Sequence, residues 1–395
     1  MPCHRLALIT ILTSSVSGNL ASQGSKAISN ARTPLELFWE SGLRAESKDG
    51  RFKFRLRTRL ENDWGFIDTG HAVEKRFGSL ADGTELRRMR IGLQGQIYQD
   101  INFKAQVDFA SGDAEFRSVY AGISQVPLLG NIRIGNQREP FGLERNTGTH
   151  YISMMERASS NALTPKRNTG ILAHNHHYDE RLTWAIGAFR ETNDQGFGQG
   201  NGEAIGTARI TGIPWIGDTS HFLHLGLSIS HREFGDKGTR FKARPGLHLA
   251  PSFADTANIA ADHGKLTGME ALWMVGSTSL QIECMQARVS NLKFQGSYAQ
   301  ISHFFNGNQR RFRRDLPQFI RVKPNLDQGA WELTARVSTI DLNAASVQGG
   351  QMTDYTLGLN WYANPNVRVM ANLIYVDLEE PGDPLMFAMR FGIDF

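Results

Sequence analysis

Five basic side chains alternate along Arg51-Phe-Lys53-Phe-Arg55-Leu-Arg57-Thr-Arg59, with Phe52, Phe54, Leu56 and Leu60 on the intervening positions. On a strand, the five cations share one face at a spacing of roughly 6–7 Å. Like charges so placed repel, so the row favours folding only where it meets water or an anion. Three readings fit: a lumen that conducts anions, a solvated edge strand blunted by charge, or a nucleic-acid surface. The apolar opposite face suits the first best. A second basic stretch holds Lys237, Arg240, Lys242 and Arg244. A third holds Arg310, Arg311, Arg313, Arg314, Arg321 and Lys323, with Asp315 as its one counter-charge. Guanidinium forks bind two oxygens of a tetrahedral oxyanion at once. Rings of Arg and Lys are the expected filter of an anion or phosphate pore. Solvated loops carry similar charge, and that reading stays open for both stretches.

Catalytic chemistry finds little support. There is no Gly-Xaa-Ser-Xaa-Gly elbow, Walker loop or Cys-Xaa-Xaa-Cys. His174, His176 and His177 resemble a metal cluster, but they sit beside Tyr178-Asp179-Glu180, a turn signal. We expect no catalytic site, no metal and no cofactor.

The elements that position these residues follow from a period of two. Ile101, Phe103, Ala105, Val107 and Phe109 alternate with Asn102, Lys104, Gln106 and Asp108. Strands send successive side chains to opposite faces, so each such segment has one apolar and one polar side. In the preceding segment, Arg88 and Arg90 lie on the polar side with Gln94 and Gln96. Sixteen strands are expected, at 51–62, 86–98, 101–110, 116–124, 131–138, 168–176, 181–190, 204–212, 221–232, 266–276, 279–289, 292–302, 329–341, 352–362, 366–377 and 385–395. Residues 239–249 read as loop, because a closed bacterial barrel takes an even number. Short connections (99–100, 177–180, 277–278, 363–365) alternate with long ones (63–85, 139–167, 191–203, 233–265), as in an outer-membrane barrel. The long 303–328 falls on the short side. Trp184, Trp273, Trp331, Trp361, Tyr362 and Tyr375 near strand ends suit interfacial girdles. A soluble sandwich would alternate in the same way, but the Gly, Gln and Asn of the polar face suit a water-filled lumen better. The fold class is therefore all-β: a 16-stranded antiparallel transmembrane β-barrel with long outer loops.

The averages hide this arrangement. Of 395 residues, 40% are hydrophobic. The mean hydropathy is −0.35, and no apolar run is long enough for a membrane helix. The net charge of +4 is too small to imply nucleic acid as a partner. Cys3 and Cys284 allow no disulfide framework. Arg5 precedes the apolar Leu6–Leu12 and then small polar residues, which reads as a secretory signal over 1–21, cut after Gly18 or Ala21. Residues 22–50 then form an N-terminal extension, and 51–395 the barrel.

One stretch carries a family resemblance. Arg133-Ile-Gly135…Arg138-Glu-Pro140-Phe-Gly142-Leu-Glu144 is followed by Tyr151-Ile-Ser-Met-Met-Glu156-Arg157 and Arg167-Asn168-Thr-Gly170. Gly329-Ala-Trp-Glu332, Gly358-Leu-Asn360-Trp361-Tyr362 and the terminal Arg390-Phe-Gly-Ile-Asp394-Phe395 add to it. The pattern resembles the phosphate-selective porins O and P over about residues 50–395. Family members more often carry Lys where Arg138 stands. The resemblance implies a homotrimer of 16-stranded barrels in the outer membrane of a Gram-negative-type envelope. It implies passive diffusion of small inorganic anions, phosphate or polyphosphate, with long segments folded into the lumen at 139–167, 233–265 and 303–328. Arg133, Arg138, Arg157 and Arg167 are its motif arginines, and Phe395 resembles an outer-membrane assembly signal. Two other functions remain in view: a general porin, and a secreted β-protein that binds polyanions.

Overall fold

The computed structural model describes residues 32–199, 204–325, 327–378 and 380–395. The expected signal segment 1–21, the start of the extension, and Cys3 lie outside them. Sixteen antiparallel strands form the wall: β1 (Phe52–Asp68), β2 (Gly83–Ile97), β3 (Ile101–Asp108), β4 (Glu115–Val126), β5 (Gly130–Arg138), β6 (Arg167–His177), β7 (Leu182–Arg190) and β8 (Ala204–Ile216) in the first half. The second half is β9 (His221–Glu233), β10 (His263–Val275), β11 (Thr278–Val289), β12 (Leu292–Phe304), β13 (Ala330–Ala344), β14 (Val347–Tyr362), β15 (Val367–Asp377) and β16 (Leu385–Asp394). Each pairs with the next, and β16 pairs with β1 from Leu385↔Asp68 to Asp394↔Arg59, so the sheet closes. Closure leaves no free edge, which is what a sheet in lipid requires.

All sixteen expected strands are present. The outward positions are apolar and exposed, among them Ile210, Leu227, Met269 and Leu357. Trp331 and Trp361 stack side by side on the outside, 5.9 Å apart. Tyr362 departs from the expected girdle: it is buried inward and donates to Glu332 at 2.7 Å. No helix among the described residues is long and apolar enough to cross a membrane.

Three departures matter for the lumen. First, β1 runs to Asp68 rather than ending at 62. Trp64 and Phe66 keep the outward pattern, while Glu61 and Asp63 find arginines inside. Second, two connections at the long-loop end, 290–291 and 345–346, are tight turns whose Ser290 and Ala345 take positive φ. Third, the inner wall of β10–β16 is apolar toward the long-loop end. Leu266, Met285, Phe294, Leu342, Met352 and Ile374 face inward and pack on Phe241, Leu247, Phe253 and Ile259 of the 234–262 loop. That loop plugs its side of the barrel with a dry core, which the polar-face rule did not foresee.

Part of the expected N-terminal extension also joins the sheet. Leu35–Trp39 and Leu43–Ser47 form a hairpin whose second strand pairs with β1 through Arg44↔Arg55 and Glu46↔Lys53. It occupies the edge of β1 that β16 stops short of covering.

Candidate functional site

The loop between β5 and β6 turns into the lumen. Gly142 starts the turn at φ +65, and the N–H groups of Leu143 and Glu144 donate to the Glu283 carboxylate on β11 at 2.9 and 2.7 Å. A Cβ at Gly142 would lie 2.7 Å from that carboxylate, so the Pro-Phe-Gly-Leu-Glu run needs its glycine. The loop then crosses to the opposite wall. Ser153 donates to Glu332 at 2.5 Å, Arg368 to the Ile152 carbonyl at 2.8 Å, and Arg336 to the Glu156 carbonyl at 3.0 Å. Arg390 donates to the Met155 carbonyl. Ser159 and Ser338 share a hydrogen bond of 2.6 Å. The back-wall arginines thus serve the loop's own carbonyls.

The loop tip closes an ion-paired cluster. The Glu156 carboxylate accepts from Arg87 at 2.9 Å, from Arg88 at 3.1 Å and from Arg390 at 2.6 Å. Burial pushes this carboxyl up, but the three guanidiniums win and hold it well below the usual carboxylate range. Glu61 accepts from Arg59 and Arg88, and Asp63 accepts from Arg390. The basic face of β1 is therefore balanced by acids past Arg59.

From the short-turn end, residues 305–329 fold upward to meet the loop. Arg311–Arg313 and Gln318–Ile320 pair as a small hairpin. Arg310 lies 3.3 Å over the Phe319 ring and donates to the Tyr151 carbonyl at 2.9 Å. The long connection on the short side is thus a lumen element.

What remains open is a cavity of about 1130 Å3 between this insert and the β1–β6 wall. Fifteen cationic and three acidic side chains line it. Lys53, Arg55, Arg57, Lys104, Arg133, Arg138 and Arg167 come from the wall; Arg311, Arg313, Arg321 and Lys323 come from the turn. Lys104 and Arg167 have no side-chain partner among the described residues. Arg133 lies 5.2 Å from the Tyr120 ring centroid, and Arg138 donates to the Asn146 carbonyl. His150, on the loop, stands between Arg57 and Arg59 at 3.3 and 3.2 Å. A smaller space of about 410 Å3 at the long-loop end is lined by Arg157, Lys242, Arg244 and Glu156.

Several expected residues are occupied otherwise. Arg51 is exposed and paired with Asp49 at 2.6 Å. Arg59 and Arg88 are buried in the acid cluster, and Arg90 is held by Asp108 at 2.6 Å. Arg157 braces the loop through the Glu144 and Thr147 carbonyls at 3.1 and 2.8 Å. Arg240 is turned to solvent and bidentate to Asp255 at 2.7 and 2.6 Å, and Lys242 lies 3.5 Å from the same carboxylate. Arg313 pairs with Asp315 at 2.6 Å, Arg314 lies 3.6 Å from Glu180, and Arg321 is paired with Asp394. Lys323 lies 3.7 Å from Glu40. Phe395 exchanges backbone hydrogen bonds with Thr58 and packs on Trp39 at 5.3 Å.

Sequence reasoning passed over Lys104, Arg87 and Arg145. Lys104 was visible on the polar side of its strand. Arg145 follows Glu144 directly in the motif. It has no side-chain partner among the described residues, and burial, with Arg157 beside it, lowers it to about 9, still a cation at neutral pH. No group of three or more His, Cys, Asp or Glu among the described residues could hold a metal.

A closed sixteen-stranded barrel, apolar outside and holding a cation-lined space narrowed by an inserted loop, is a porin of the outer membrane. The model of the family "Phosphate-selective porin O and P" matches residues 54–390, and the chain belongs to that family. Porin O of Pseudomonas aeruginosa is 24% identical over 378 residues, covering 84% of each chain. An uncharacterised protein of Caulobacter vibrioides is 25% identical, covering 88% of this chain and 73% of its own length. Among solved structures, a loop-deletion form of the outer-membrane protein OmpT of Vibrio cholerae is 12% identical with a TM-score of 0.57, covering 87% of this chain and 100% of that one. An anion-selective porin of Comamonas acidovorans is 11% identical with a TM-score of 0.54, with the same coverage. At these identities the structures speak for the fold. The family is one of channels, not enzymes.

Proposed function

We propose that this porin passes small oxyanions, of which phosphate is the best match. The observation that carries this is the fifteen-to-three excess of cations over acids around the main cavity. Acids on an inserted loop would face the wall cations and attract passing cations. In this porin the loop's acids are consumed: Glu139 holds Arg232, Glu144 accepts from the Ala158 N–H and Asn161, and Glu156 holds Arg87, Arg88 and Arg390. An entering cation meets no free carboxylate from the loop, whereas an anion meets a graded series of cations. Several moderate sites let an anion enter and leave. The pathway we assign runs from Arg244 at the outer mouth past Arg145, Arg138 and Arg167. It continues along Lys104, Arg57, Arg55, Lys53 and Arg133 to Arg311 and Lys323. The family's description supports phosphate, and guanidinium forks suit its geometry.

Planar-bilayer recording tests this. Reversal potentials in a KCl gradient should show anion preference, and added phosphate should lower the chloride conductance. Cation preference, or conductance indifferent to phosphate, would favour a general porin. Homotrimeric assembly belongs to the same reading; an OmpT structure of Vibrio cholerae is described as a trimer. So does removal of residues 1–21 on export.

A further inference from the structure

His150 occupies an unusual place in the lumen. Its Nε2 lies 3.3 Å from an Arg57 nitrogen and its Nδ1 lies 3.2 Å from an Arg59 nitrogen. A guanidinium only donates, and a neutral imidazole has one lone pair to offer. One of the two contacts can therefore be a hydrogen bond, and the other sets N–H against N–H. Arg59 has other acceptors, Glu61 at 2.7 Å and Thr149 at 2.8 Å. Arg57 has none among the described residues beyond this ring. The ring also packs against Tyr151, with centroids 3.7 Å apart and the planes tilted by 44°, so it is held in place.

The charged groups around it are mostly cations. From β1 come Arg57 and Arg59, from β2 Arg90, and from the short-end turn Arg321. The nearby carboxylates are spoken for: Glu61 by Arg59 and Arg88, and Asp394 by Arg321. Arg368 and Arg390 complete the shell and are engaged with loop carbonyls and acids. Burial, then Arg59 and Arg57, hold the imidazole well below its usual range. An oxyanion placed against Arg57 and the ring reverses the balance. It supplies the acceptor that the frustrated pair lacks, and its negative charge favours the imidazolium.

We infer that His150 is a specificity-determining residue of the lumen that takes up a proton when an oxyanion binds between it and Arg57. This rests on the anion-channel reading and deepens it. Protonated, the ring adds a third positive charge beside two guanidiniums and retains the anion longer. Linkage then sets the sign: affinity rises as pH falls through the anion-bound pKa, by up to about tenfold per pH unit below it.

Sulfate is the probe, because it remains a dianion across the useful pH range whereas phosphate changes its own charge. In bilayers, sulfate block of the chloride current by the wild-type porin should be several-fold stronger at pH 5 than at pH 8. His150→Gln keeps a neutral polar side chain and should make the block independent of pH. His150→Lys supplies a permanent cation and should block strongly at both values. Heat-modifiable migration on gels checks that each variant is a folded barrel. A wild-type block that is flat with pH, or a His150→Gln block that keeps the wild-type dependence, overturns the inference while leaving the anion channel standing. Sulfate that blocks at no pH overturns both.

Discussion

Gly142 seats the start of the loop that narrows the lumen. The motif that contains it places two backbone N–H groups on the Glu283 carboxylate, and at φ +65 a Cβ there would push that carboxylate aside. Gly142→Ala should cost roughly 1–3 kcal/mol through strain at positive φ and the lost seat. Because the loop narrows the lumen, single-channel conductance should rise as well; an unchanged conductance would show that the loop seats without this glycine. Lys104 and Arg167 make the complementary case. Each is a cation without a partner among the described residues, facing the cavity. Lys104→Gln and Arg167→Gln should each weaken anion preference in reversal-potential measurements while leaving barrel stability within about 0.5 kcal/mol. Arg240→Ala should leave selectivity alone, since Asp255 already neutralises that side chain. Sequence could show that these residues are basic. It could not show which basic residues are neutralised, because Asp255 reaches Arg240 only through the fold of its loop, and Asp63 and Glu156 reach Arg390, Arg87 and Arg88 from strands or loops far along the chain.

Two inserted segments set the aperture at the level of elements. The β5–β6 loop is tied to the back wall by Glu156 and by its own carbonyls, so it behaves as part of the barrel. Its depressed carboxyl gives a pH window. A carboxylate held below its unfolded value stabilises the seat at and above ordinary carboxylate pKa values, and the stability is lost as pH falls through the lower folded value. Conductance should therefore be steady from pH 7 down to about pH 4.5, and rise or become noisy only in stronger acid. The segment 305–329 is the second insert. Removing its small hairpin, residues 311–320, should enlarge conductance and reduce anion preference together, because Arg311 and Arg313 leave with it. Enlarged conductance with undiminished preference would place the filter wholly on the β1–β6 wall. The length of 303–328 on the short-turn side marked it as unusual, and the family resemblance put it in the lumen. What it touches there, the Tyr151 carbonyl through Arg310 and the Thr147 hydroxyl through the Phe319 N–H, had no local signal.

For the whole molecule, the lumen is divided. The β1–β6 side carries cations and open space; the long-loop end of β10–β16 is apolar inside and covered by the 234–262 loop. Anions therefore have a passage narrower than a sixteen-stranded barrel suggests. A period of two, repeated sixteen times, was enough to place the strands, since side-chain alternation is a local property of any strand, and the polar face's composition with the family motifs favoured a barrel over a sandwich. The tight turns, the apolar outer face and the motif around Gly142 were equally legible. Which inward faces meet water and which meet a plug was not, because both lie on the same side of the pleat. Nor was charge pairing, because Arg390 and Asp63 are 327 positions apart and meet only when the last strand closes on the first. Residue types and their alternation were set by the sequence alone; the free cations, the apolar plug and the place of His150 exist only after closure, when distant segments share one enclosed space.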